Sequence, residues 1–146
     1  MIPDAEYKII IEQMPVVCID AIIINHKKQF LLVRRKNEPL KGEYWVPGGR
    51  LLKNETLQEA IIRKVRQELG IESHIIMPLG VYEEFFDKGP LNIKTGFHAI
   101  SMVYLMIAEG ENIQLDDQSD DWGWFDKLPE RFKKTLKINT LDGLLG

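Results

Sequence analysis

Cysteine is nearly absent. Cys18 is the only one in 146 residues, so no intrachain disulfide can form, and a reducing, cytoplasmic setting is expected. Long apolar runs are missing too. Val16–Ile19 and Ala21–Ile24 are split by Asp20, far short of the ~20 apolar residues a membrane span needs. The opening MIPDAEYK lacks a basic stretch followed by an apolar one, so no secretory signal is expected. Positive charge is not in excess. The 19 basic and 22 acidic residues leave a net charge of −3, which provides no global field to gather nucleic acid or an anionic membrane. Neither repeats nor a linker interrupt the chain, and residues 1–146 read as one domain. Hydrophobic residues at 45% and charged ones at 28% are an ordinary globular balance, enough for a core without staples.

The local patterns place the elements. Asp4 to Met14 suits a short helix with Asp4 as N-cap and Pro15 as stop. Pro15–Asn25 reads as a buried strand. Gln29–Arg35 reads as its returning partner in a hairpin, across the turn Asn25–Lys28. Lys36–Tyr44 is a loop, and Trp45–Arg50 (WVPGGR) is tight and glycine-rich. One long helix is expected over Asn54–Leu69, capped by Asn54 and closed by Gly70. Leu57, Ile61, Val65 and Leu69 form its apolar stripe. Ile75–Phe86 and Phe97–Ala108 suggest two long strands. Asp116–Asp121 reads as a polar loop, Trp122–Phe125 as a short strand and Leu128–Leu136 as a helix. This mixed order points to α+β.

The stretch from Gly49 to Ile71 carries the chemistry. Gly49, Glu55, Arg63, Val65, Glu68, Gly70 and Ile71 fall in the register of the signature of the Nudix hydrolases, which this stretch resembles. Seven spaced matches over 23 positions are far more specific than a lone glycine motif. The resemblance implies a Nudix-type α/β/α sandwich with a mixed central sheet. It also implies divalent metal, Mg²⁺ with Mn²⁺ as an alternative, held by helix carboxylates. Oxygen ligands suit such hard cations. Glu55 is the partner the family gives to Arg63, a supporting pair.

Two of the family's three helix glutamates are missing. Positions 64, 67 and 68 share one helix face, and they hold Lys64, Gln67 and Glu68. At most one metal ion is expected, on Glu68 with a backbone carbonyl of the Gly48–Gly49 turn.

Those departures are similar to one subgroup, the GDP-mannose mannosyl hydrolases. The likeness extends over Pro15–Asp20, Phe30–Leu32, Arg35, Asn37, Pro39, Gly42, Val46–Arg50 and Asp116–Trp122. It implies attack of water on the anomeric carbon of a nucleoside diphosphate sugar, with the nucleoside diphosphate leaving. One metal on the diphosphate supplies Lewis acidity, and cationic side chains spread the remaining charge. Arg35 and Arg50 would face the diphosphate, Asp20 would lie near the sugar, and Gln118 would add a metal ligand. A homodimer is implied, with Ile9, Ile10 and Ile11 available for the contact.

Each of these residues also has an ordinary structural role open to it. Arg35 and Gln118 serve equally as surface residues, and Asp20 as a strand carboxylate. One departure is chemical. The subgroup's histidine base follows the Gln118 position, where this chain has Ser119. A serine hydroxyl cannot hold a proton from water near neutral pH. Asp117, Asp120 or Asp121 would have to substitute, with His98 as another candidate. Three functions therefore compete: sugar-releasing hydrolysis, a Nudix pyrophosphatase attacking phosphorus, and a binding module without turnover.

Overall fold

The computed structural model describes residues 1–135. Helix α1 spans Asp4–Gln13, and strands β1 (Val16–Ile23), β2 (Phe30–Arg35), β3 (Tyr44–Trp45) and β4 (Gly48–Arg50) follow. Helix α2 (Leu57–Leu69) leads into strands β5 (Glu72–Phe86), β6 (Phe97–Glu109) and β7 (Ser119–Phe125), and α3 covers Glu130–Thr135. The predicted end of the last helix, Leu136, lies outside the described residues.

Four strands form a mixed sheet in the order β4-β1-β6-β5, with β1 and β6 parallel and the other pairs antiparallel. Three more form an antiparallel sheet, β3-β2-β7. The strand period of two divides side chains between two cores. Ile19, Ala21 and Ile23 of β1 and Tyr104 and Met106 of β6 pack beneath Ala60, Ile61, Val65 and Leu69 of α2. Ile22, Val103 and Leu105 face the other way, toward Leu128 and Phe132. Burying each large side chain fully contributes about 1.5–3 kcal/mol. The α+β class and the mixed sheet are therefore present, with helices on both sides.

The structure departs from the sequence expectation in several places. Strands β1 and β2 do not pair as a hairpin. They part into different sheets and share one isolated bridge, Ile24 to Phe30. Both are apolar on both faces, so either could take neighbours on either side, and β6 and β7 take those places. Helix α1 starts at Asp4 itself, after Pro3, with no side-chain cap. Helix α2 is capped by Thr56 rather than Asn54. The Thr56 hydroxyl accepts the Glu59 N–H at 3.1 Å and donates to the Glu59 carboxylate at 3.0 Å, an N-cap in the sequence TLQE. Asn54 instead takes the left-handed turn, φ 69°. Gly70 closes the helix as expected, φ 67°.

Candidate functional site

The site is built where β4 meets β1 and the last turns of α2. Register places Gly48 opposite Asp20 and Gly49 opposite Ile19. A Cβ at Gly48 would lie 2.0 Å from Asp20 Oδ1 and 2.4 Å from the Ile19 carbonyl oxygen, so no side chain fits there. A Cβ at Gly49 would lie 2.2 Å from Lys64 Cε. The two glycines let a carboxylate and an ammonium approach the same bend.

Glu68 is buried, accepts the Gly48 N–H at 3.3 Å and sits 3.4 Å from the Lys64 ammonium. Burial pushes its carboxyl up to about 7; the Lys64 charge and the Gly48 N–H pull the other way, while Asp116 adds to the rise. Asp20 is also buried. Its Oδ2 accepts from the Tyr82 hydroxyl and the Ser101 hydroxyl, each at 2.6 Å. Burial raises this carboxyl as well, against the pull of those two bonds and of Arg35. Oδ1 receives no hydrogen bond among the described residues and borders Gly48.

Behind the corner, Glu55 takes two bonds from Arg63, at 2.5 and 3.0 Å, and the Leu52 N–H at 3.1 Å. Arg63 also donates to the Arg50 carbonyl at 3.2 Å. The pair is the supporting strut the motif led us to expect, and it fixes the backbone that carries Arg50.

An open cleft of about 740 Å³ collects most of the predicted residues. Asp20, Arg35, Gly48, Arg50, Glu68 and Gln118 all line it. Arg35 Nε donates to the Pro39 carbonyl at 2.6 Å, and the Arg50 guanidinium lies 4.5 Å over the Tyr7 ring. Gln118 is exposed and accepts from the Asn37 amide at 3.3 Å.

Asp120 is not brought to the cleft. Strand β7 begins at Ser119, three residues before its expected start at Trp122, and Ser119 is buried while Asp120 is exposed. There it pairs with Arg34 at 2.7 Å. Asp121 accepts from the Tyr44 hydroxyl, also on the outer side. His98 stacks on exposed Phe85, ring centroids 4.3 Å apart. It lies three residues from Ser101, so it belongs to the opposite face of β6 from Asp20. Ile11 is buried against Val16, Ile93 and Phe97, so only Ile9 and Ile10 of the expected contact are exposed.

Sequence reasoning missed Ser101 and the place of Lys64 against Gly49 and beside Glu68, and it left Tyr82 unassigned. A signal existed for the first: Asp20 and Ser101 are each a polar residue flanked by apolar ones within a strand. Such buried polar groups require partners. Among the described residues no group of three or more His, Cys, Asp or Glu side chains is placed to hold a metal ion. Nor is any helix there long and apolar enough to cross a membrane.

The NUDIX domain family matches residues 14–134. The chain belongs to the Nudix family. Membership places it among hydrolases of nucleoside diphosphate derivatives. Among relatives, the low-salt glycan biosynthesis protein Agl8 of Haloferax volcanii is 36% identical over 117 residues, spanning 80% of this Nudix chain and 74% of that protein. The ADP-ribose pyrophosphatase of Methanocaldococcus jannaschii is 34% identical over 112 residues, spanning 77% and 62%. The MutT protein from Methanosarcina mazei Go1 superposes with a TM-score of 0.72 at 22% identity, covering 90% of this chain and 97% of that one. The Nudix domain of Shewanella oneidensis NrtR, solved with ADP ribose, gives 0.68 at 19%, covering 99% and 100%. At those identities the two structures establish the Nudix fold.

Proposed function

We propose that this Nudix chain hydrolyses a nucleoside diphosphate sugar in the manner of the GDP-mannose mannosyl hydrolases. Water would attack the anomeric carbon and the nucleoside diphosphate would leave. One observation carries the reading: helix α2 offers the glycine bend a single carboxylate, Glu68, in a cleft that also presents Arg35 and Arg50. Attack at phosphorus by metal-activated water calls for several ions and an acidic cluster. Attack at carbon needs a good leaving group. The Agl8 relative, named for glycan biosynthesis, is in keeping with a sugar-bearing substrate.

The donor set fits one hard cation. Glu68 is held only by long contacts, 3.3 and 3.4 Å, so its oxygens are not saturated. Glu68, the Gly48 carbonyl and Gln118 would hold Mg²⁺, with Mn²⁺ as a substitute. When bound, the ion supplies Lewis acidity to the leaving diphosphate. Arg35 and Arg50 bind the phosphates and offset their charge. Asp20 is the base. Its Oδ2 is tied by Tyr82 and Ser101, which leaves Oδ1 to accept a proton from water. Its raised pKa brings it nearer the operating pH than an ordinary carboxylate, as general-base catalysis requires. This gives the missing histidine's task to a residue 99 positions earlier in the chain than Ser119. A homodimer belongs to the same reading, with exposed Ile9 and Ile10 as its contact.

The pyrophosphatase relative favours a second reading, attack at phosphorus. Hydrolysis of GDP-mannose and other nucleotide sugars in ¹⁸O water, followed by ³¹P NMR and mass spectrometry, separates the two. Free sugar carrying the label, with an unlabelled nucleoside diphosphate, supports attack at carbon. Label on a phosphate, with a nucleoside monophosphate, overturns it. Binding without turnover over long incubation would leave a recognition module.

A further inference from the structure

Lys64 has no task in the mechanism above, yet the corner is shaped around it. Its stem lies across Gly49, where a Cβ would come 2.2 Å from Cε and 3.1 Å from Nζ. The ammonium lines the cleft beside Glu68, and the side chain is only 15% exposed. A lysine that needed only to hydrate its charge would extend its flexible stem to the surface. An ammonium carries three N–H donors, and one long contact to Glu68, 3.4 Å, occupies one of them. Arg35 and Arg50 line the same cleft. Lys36 and Lys41 line it too, so five cations face four acids, Asp4, Glu38 and the buried Asp20 and Glu68, in a chain whose net charge is −3. A local surplus of positive charge in a partly dehydrated cleft favours an anionic guest.

We propose that Lys64 binds the substrate's diphosphate directly: its ammonium takes a phosphate oxygen as a fixed cation. This rests on the diphosphate reading above and adds to it a contact that needs no divalent ion. It also gives the thin carboxylate set a physical sense, because part of the counter-charge is built into the chain.

The test is calorimetric titration of the full chain with inorganic pyrophosphate in EDTA. The wild type should bind without metal. Lys64→Met should weaken binding about tenfold to a hundredfold, the range for a hydrogen bond to a charged group. Lys64→Arg, which keeps the charge, should stay within about threefold. Glu68→Gln frees the ammonium and should bind as tightly as the wild type or more so. Where Lys64→Met fails to fold because Glu68 is left unpaired, the double variant Lys64→Met/Glu68→Gln, compared with Glu68→Gln, replaces it and should show the same loss. Failure of the wild type to bind in EDTA, or unchanged affinity without Lys64, overturns the proposal. Metal-free binding through Lys64 with no hydrolysis of any nucleotide sugar would sink the proposed function alone. Hydrolysis with Lys64-independent binding would sink this inference alone.

Discussion

One ion pair lies inside the cleft and another outside it, and the shorter is the cheaper to break. Arg34 and Asp120 meet at 2.7 Å on the β2–β7 rim, with side chains 41% and 46% exposed. Lys64 and Glu68 meet at 3.4 Å in the glycine corner, 15% and 7% exposed. Water screens the first, so a pair of its kind is worth about 0–1 kcal/mol. Removing one partner of a buried pair leaves an uncompensated charge, at a cost of about 3–5 kcal/mol. Distance alone therefore misranks the two regions. On the proposed reading the carboxylates that do chemistry are Asp20 and Glu68, from which water has been withdrawn, and not the acidic run on the rim.

The largest effect expected from this contrast is catalytic. Asp20→Asn removes the proton acceptor and should lower kcat about 10²–10⁴-fold, the usual share of a general base. Asp120→Asn, on the rim, should change kcat less than about threefold. Both are read by steady-state kinetics, with circular dichroism to show that the fold is kept. Equal losses at the two positions would erase the distinction between corner and rim.

A second consequence concerns pH. Burial raises Glu68 from 4.5 to about 7. Below the lower value the carboxyl is protonated in both folded and unfolded chains. Between the two, the unfolded chain ionises while the folded one keeps its proton, so stability falls as pH rises. The loss is complete above about 7. At 1.36 kcal/mol per pKa unit it amounts to about 3 kcal/mol. Asp20, raised by the same cause, acts in the same direction. Urea denaturation in EDTA across this window should show the decline, and Glu68→Gln should flatten it. Stability that climbs through the window would show that Glu68 is not the desolvated acid described.

How much of this was legible beforehand follows from the range of the interactions. The α2 helix and its glycine stop are local, and Thr56 was missed as its cap only because Asn54 competed two residues earlier. Glu68 was legible because motif spacing fixes its helix face. The separation of β1 from β2 was not, because strands apolar on both faces carry no record of their neighbours. Asp20 was visible as an oddity, but its partners Tyr82 and Ser101 lie 62 and 81 residues away, beyond any local pattern. Asp120 was misplaced for a subtler reason. The strand begins three residues before its expected start, and a register shift between Arg34 and Arg35 leaves Asp120 and Asp121 both on the outer side, a matter of cross-strand pairing that a local pattern does not carry.

Glycine tests the same contrast through packing. Alanine at Gly48 must displace the Ile19 carbonyl, 2.4 Å from the new methyl, as well as Asp20. Such overpacking costs about 1–3 kcal/mol. Alanine at Gly123 of β7 meets only the Phe125 ring edge at 3.3 Å and should cost less than about 0.5 kcal/mol. Thermal denaturation of the two variants orders them, and a Gly48→Ala protein as stable as Gly123→Ala would mean that the corner yields more readily than its geometry allows.

The smallest effect sharpens the comparison most, because it concerns the better-looking bond. A double-mutant cycle with Arg34→Ala and Asp120→Ala isolates the coupling of the rim pair from the separate effects of each truncation. Both side chains are about half exposed, and each must give up rotamer freedom to hold the contact. The coupling should therefore fall below about 1 kcal/mol and shrink further in molar salt. A coupling of several kcal/mol that survives salt would mean that the rim is shielded from solvent, and Asp120 would then return as a candidate base despite its outward place on β7.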